Sequence, residues 1–153
     1  MNNGEKQKIY LIRHAKPDLP HGGKLYYGST DYSLSEEGVM MAKRLAEALK
    51  CVEAETVFSS DLRRAMETAE IAFAGRTCEV RPVKELREIH LGDWEGRSFD
   101  EVRSTWNEIY EKRGASFDSV CPPGGESFRD LQKRTVPAFD EILRENPCGN
   151  IVL

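Results

Sequence analysis

The sequence lacks any apolar run near the ~20 residues needed to cross a bilayer. Its opening segment, Met1–Lys8, is polar and has no apolar stretch of the kind that heads a secretory signal. Membrane-spanning and exported classes are therefore set aside, and a cytoplasmic, membrane-free protein is expected. Cysteine is sparse and dispersed: Cys51, Cys78, Cys121 and Cys148 lie far apart with no Cys-x-x-Cys pair, the pattern of free thiols rather than of a zinc site. With only three histidines, His14, His21 and His90, a multi-histidine metal centre is also excluded, and no metal or other cofactor is expected. Positive charge shows no excess: the net charge is −4 and the bases are scattered, which argues against a nucleic-acid partner. Internal repeats and low-complexity segments are missing too.

What remains is an ordinary globular composition, 39% hydrophobic and 31% charged. At 153 residues the length fits one domain, 1–153, able to bury about two-thirds of its unfolded surface. Lys8–Arg13 reads as a first strand, Thr56–Phe58 as a second, Cys78–Val83 as a third, and Asn150–Leu153 as the start of another. Between them lie amphipathic segments. One is capped by Ser35, with Met41, Leu45 and Leu49 on one face. Another runs over Asp61–Ala74, with Leu62, Ala65, Met66, Ala69 and Phe73 on a stripe and Gly75 as the stop. A third opens at a Ser98–Glu101 capping box and turns Phe99, Val102, Trp106 and Ile109 inward. The last, roughly Ser127–Glu145, contains Pro137, which should kink or split it. Strands alternating with helices predict an α/β fold, a mostly parallel central sheet with helices on both faces. Sites in such sheets lie beyond the carboxyl ends of the strands.

Two segments stand at such ends. Arg13-His14 closes the first strand, pairing a guanidinium that can grip phosphate oxygens with an imidazole that, when neutral, can attack phosphorus. Ser59-Ser60 hands the second strand to a helix, whose unpaired N–H groups and positive dipole end suit an anion. Arg63 and Arg64 in the first turn of that helix oppose the dipole. Either one of them faces an anion, or both are solvated or paired with Asp61 and Glu67. The long Lys16–Ser33 segment, rich in proline and glycine, has the character of a functional loop. Farther on, the acidic turn from Glu85 to Gly96 offers Glu85, Glu88, Asp93 and Glu95 as general acids, among which composition does not choose. His90, within it, reads as structural.

These residues resemble the histidine phosphatase superfamily, with its phosphoglycerate mutase-like fold. Leu-Ile-Arg-His-Ala at 11–15 is similar to the family's Arg-His-Gly signature, and Gly28-Ser29-Thr30-Asp31 followed by Leu34-Ser35-Glu36-Glu37-Gly38 to its substrate loop. Ser59–Ala69, Leu86–Gly96 and Pro123-Gly124-Gly125-Glu126-Ser127 are similar to three further blocks, so that five ordered matches cover nearly the whole chain. The resemblance implies a three-layer sandwich, His14 as the nucleophile that becomes phosphohistidine, and Arg13 and Arg64 as phosphate ligands ahead of Arg63. It also implies Thr30 beside the phosphate and Glu88 as the proton donor to the leaving oxygen. The partner would be a small phosphorylated metabolite. The Tyr26–Asp31 loop and the Gly-Asp-Trp-Glu-Gly block look most like the α-ribazole phosphatases of cobalamin assembly. The interval Arg97–Pro122 is short beside that of the mutases, which favours phosphatase over phosphoglycerate mutase-type phosphotransfer.

Two departures from the family pattern stand out. Ala15 occupies a position that is usually glycine, tolerable unless the backbone there needs positive φ or very close approach to a ligand. The family's second catalytic histidine would follow the strand that begins at Gly149–Leu153, and the sequence ends first. A fragment of a longer protein is the expectation, with a non-catalytic phospholigand-binding module as the competing function class.

Overall fold

The structure, a computed structural model, describes residues 7–20 and 24–153, so His21 lies outside the described residues. Four strands form one parallel sheet: β1 (Ile9–Tyr10), β2 (Thr56–Ser59), β3 (Glu79–Pro82) and β4 (Ile151–Val152), in the spatial order β1-β4-β2-β3. The register pairs Ile9 with Ile151, Val57 with Val152, and Val57 with Val80. Two-residue alternation sends neighbouring side chains to opposite faces. Val57 and Val152 enter a core with Leu49, Ala72 and Phe73, while Phe58 and Ile151 enter another with Ile142. The helices α1 (Glu36–Ala48) and α2 (Arg63–Ala72) thus cover one face, and α5 (Phe128–Glu145) covers the other. Between them in sequence come α3 (Phe99–Thr105) and α4 (Asn107–Ala115). The result is the expected three-layer α/β sandwich.

Several local expectations need correction. The first strand spans two residues rather than Lys8–Arg13, although ladder bonds from Ile151 N to Lys8 O (2.9 Å) and from Ile12 N to Leu153 O (2.7 Å) carry the pairing further. In α1, capped by the Ser35 side chain on Gly38 N, the buried positions are Gly38 and Ala42 rather than Met41, which is exposed. Small residues win that face because the chain passes very close: a Cβ on Gly38 would lie 2.1 Å from the Lys16 carbonyl oxygen. In α2 the most buried stripe is Arg64, Thr68 and Ala72, and the apolar Ala65, Met66 and Ala69 are only half-buried. The Ser98 segment breaks at Trp106 into α3 and α4, and only the Ser98 half of its capping box is made. Pro137 does not split α5, which runs as one element from a complete Ser127–Asp130 capping box. Pro137 stands at an exposed position, and packing of the flanking turns holds the helix together.

A third cluster sits beside the sheet rather than on it. Ile89, Leu91, Trp94 and Val102 pack with Tyr26, Trp106 and Phe128. Trp94 is 1% exposed, which anchors the 87–96 turn as a rigid shelf at the carboxyl ends of the strands. Gly75 adopts a left-handed conformation (φ +73°) where the second segment was expected to stop.

Candidate active site

A cavity of about 1110 Å³ opens at the carboxyl ends of β1 and β2, and Arg13, His14, Ser59, Ser60, Arg64 and Glu88 line it together. His14 follows β1 directly. Its Nδ1 lies 2.8 Å from the Ala15 carbonyl oxygen. Because a carbonyl only accepts, Nδ1 carries the proton and Nε2 presents its lone pair. Burial pushes the imidazole below its ordinary value, and the charges of Arg64 and Arg13 add to this, against the Ala15 contact and Glu88. His14 is thereby neutral at physiological pH, the form a nucleophile needs.

The turn after His14 is latched from beneath. Ala15 N donates to Thr68 Oγ1 (2.9 Å), and Thr68 donates in turn to Arg64 O (2.6 Å). The Ala15 methyl packs with Leu34 and Ala42, so the departure from glycine is used as core. One turn of α2 above Thr68, Arg64 is 1% exposed. Its Nη1 donates to Thr30 O (2.8 Å) and its Nη2 to Gly28 O (2.6 Å), with the guanidinium carbon 5.5 Å from the Tyr27 ring centroid. Its Nε is buried without a partner among the described residues. A buried donor without a partner is costly, and Trp94 Nε1 and Arg113 Nε are left in the same state.

The two neighbouring arginines separate cleanly. Arg63 is exposed and stands 3.6 Å from Glu67, whereas Asp61 pairs not with either of them but with Arg87, at 2.5 and 2.7 Å. The leading amides of α2 are also taken: Leu62 N donates to Ser60 Oγ (3.3 Å) and Arg63 N to Asp31 Oδ1 (2.7 Å). An anion here is met by side chains more than by the helix terminus.

Among the four acidic residues of the turn, Glu88 alone lines the cavity with His14. Its Oε1 accepts from Ile89 N (2.9 Å). Glu88 also borders a second cavity of about 450 Å³, which it shares with Ser29, Glu85, Arg87, His90 and Arg134. Glu95 is engaged elsewhere: it accepts from the backbone of Gly28, Ser29, Thr30 and Leu91 and from the Ser29 and Thr30 hydroxyls. Those bonds outweigh its burial and hold the carboxyl at about 2. Glu95 is therefore ionised at neutral pH, the wrong form for a general acid. Thr30 is not among the residues lining the cavity: its carbonyl accepts from Arg64 Nη1, and its hydroxyl is spent on Glu95 at 2.5 Å. His90 accordingly does structural duty, with Nδ1 2.6 Å from Ser29 Oγ and its backbone N–H on Glu126.

Two supporting residues act through contacts that no local pattern shows. Arg134 on α5 pairs with Glu126 (2.8 Å) and donates to the carbonyls of Glu85, Arg87 and Glu88, stitching down the segment that carries Glu88. Arg87 clamps Asp61 at the opposite lip. Each contact spans a long stretch of chain; Arg87 lies in the Leu86–Gly96 block, whereas Arg134 belongs to no local motif. Among the described residues no group of histidine, cysteine and carboxylate side chains could hold a metal, and no helix is long and apolar enough to cross a membrane.

The sequence pattern of the histidine phosphatase superfamily (branch 1) matches residues 9–153. An adenosylcobalamin/alpha-ribazole phosphatase of Salmonella typhimurium is 27% identical over 146 residues, covering 95% of this chain and 72% of the relative. A glucosyl-3-phosphoglycerate phosphatase of Mycobacterium tuberculosis is 34% identical over 150 residues, covering 92% of this chain and 62% of the relative. The crystal structure of an alpha-ribazole phosphatase from Shigella flexneri superposes with a TM-score of 0.86 at 28% identity, covering 94% of this chain and 71% of that one.

Proposed function

This chain belongs to the histidine phosphatase superfamily (branch 1), and from that premise we propose that it serves hydrolysis of a small phosphomonoester through a phosphohistidine on His14. The observation that carries the reading is that Arg13, Arg64 and Glu88 line one cavity with His14, whose imidazole is pushed below its ordinary value by burial. Arg64 and Arg13 would take the phosphoryl oxygens and offset the charge that spreads over them in the transition state, with the Thr30 loop closing the side of the cradle. His14 Nε2 then attacks phosphorus as the bond to the ester oxygen breaks, and Glu88 gives that oxygen its proton. In the second step water attacks the phosphohistidine, its proton passes to Glu88, and inorganic phosphate leaves.

The substrate class is a phosphorylated small metabolite, and the named relatives make α-ribazole 5′-phosphate the first to try. A second reading keeps its place because His14 is the one histidine among the described residues that lines the cavity. On that reading the chain binds a phospholigand without efficient turnover. Losing one charge partner of a transition state typically costs about 10²–10³ in rate.

A phosphate-release panel separates the substrates: α-ribazole 5′-phosphate, glucosyl-3-phosphoglycerate, 3-phosphoglycerate and p-nitrophenyl phosphate. Release that is abolished in His14→Ala supports the hydrolase. No release from any substrate, with inorganic phosphate still raising the thermal midpoint, supports the binding module. Isomerised phosphoglycerate in place of free phosphate would point to a mutase.

A further inference from the structure

We propose that Glu95 is a positioning residue for Arg64: its carboxylate shapes the 28–30 loop so that the loop carbonyls aim the guanidinium at the bound phosphoryl group. Only the identity of the anion rests on the function proposed above.

The geometry is a relay with two stages. Oε2 of Glu95 takes Gly28 N (3.0 Å), Thr30 N (3.3 Å) and the Thr30 hydroxyl (2.5 Å), and Oε1 takes Ser29 N (2.8 Å) and the Ser29 hydroxyl (3.1 Å). With three successive amides turned onto one carboxylate, the carbonyls of Gly28 and Thr30 are left to receive Arg64 Nη2 and Nη1. The fork takes one N–H of each terminal nitrogen, leaving the second N–H of each and the Nε–H, which has no partner among the described residues. A planar guanidinium held at two nitrogens has one orientation, so the loop decides where its remaining N–H groups point. The loop itself has no room to adjust, since a Cβ on Gly28 would lie 1.8 Å from the Ile89 carbonyl oxygen. Oε1 also accepts Leu91 N (3.0 Å), which ties the relay to the segment bearing Glu88.

A glutamine at 95 keeps the shape but replaces one acceptor oxygen with a donor facing amide donors, so the loop must let go of several bonds. Inorganic phosphate affinity, measured by calorimetry on the folded chain, is expected to fall roughly 10- to 100-fold in Glu95→Gln, the scale of a misplaced ligand group. In an Arg64→Lys background, which cannot make the fork, the same change is expected to cost nothing further. Losses that multiply in the double variant, or an affinity unchanged in Glu95→Gln, would overturn the relay. Glu95→Asp serves if the glutamine variant fails to fold, with the same non-additivity expected.

Failure of wild type to bind phosphate would sink the phosphatase reading and leave the relay to a separate readout. The Arg64 Nε–H resonance, identified by its disappearance in Arg64→Lys, is expected as a single slowly exchanging signal that broadens in Glu95→Gln. An unmoved signal would refute the positioning role.

Discussion

Glu88 and Glu95 stand at the two ends of one turn, anchored by the same buried Trp94, and their surroundings differ completely. The Glu95 end is a closed polar network, six donors on two oxygens, with the carboxyl held at about 2. The Glu88 end is exposed, borders both cavities, and is secured through its backbone by Arg134 while the side chain keeps a single contact to the next amide. One residue type thus supplies a fixed charge at one end and, at the other, an open carboxyl facing the cavity, the place of the proposed proton donor. Environment, not identity, separates the roles.

The largest effect that would test this contrast is at the open end. Glu88→Gln is expected to lower kcat/KM by about 10²–10⁴ and to change the pH–rate profile, while the exposed position keeps the stability change within about 0.5 kcal/mol. An unaltered profile would remove Glu88 from proton transfer. At the closed end the stability loss should dominate: Glu95→Gln is expected to cost about 3 kcal/mol in urea unfolding near pH 7. The sign follows from a depressed carboxyl. The folded state holds Glu95 at about 2 against an ordinary 4.5, so its contribution is complete above 4.5 and is lost as pH falls through about 2. The gap between wild type and variant should therefore narrow on acidification, and a gap independent of pH would mean that the charge is not what stabilises the loop.

Gly28→Ala, which forces the loop off the Ile89 carbonyl, is expected to destabilise by about 1–3 kcal/mol and to weaken phosphate binding along with it. Smallest of all, Arg63→Ala should move stability by no more than about 0.5 kcal/mol, since its pair with Glu67 is exposed and long at 3.6 Å. A large loss there, matching that of Arg64→Lys, would mean that the two arginines had been assigned the wrong way round.

The layers of this fold were legible because they rest on local pattern: the short buried run Thr56–Phe58, the Ser35 cap, the Ser127 start and Gly75 each act within a few residues. The strand-end logic likewise singled out Arg13-His14 and the Ser59–Arg64 handover before any geometry. What periodicity missed was the buried face of α2. Its stripe Arg64-Thr68-Ala72 is largely polar, and it is buried because Arg64 and Thr68 serve the loop and the His14 turn rather than the apolar core. A hydrophobic pattern reads such a face as solvent-exposed. The same reason hid Arg134 and the true work of Glu95, whose partners lie far along the chain and whose value comes from three-dimensional satisfaction of donors. Trp106 and Pro137 show the converse: a pattern read as one helix broke at Trp106, and the helix expected to kink or split at Pro137 runs unsplit through it.

The central claim is that His14, kept neutral by burial and by the arginines beside it, takes the phosphoryl group covalently. Brief incubation with a phosphorus-32-labelled phosphomonoester, denaturation and peptide mapping tests it most directly. An acid-labile, base-stable label on the peptide containing His14, absent in His14→Ala, is the expected result. Saturable phosphate binding with no label on that peptide at any time would contradict it.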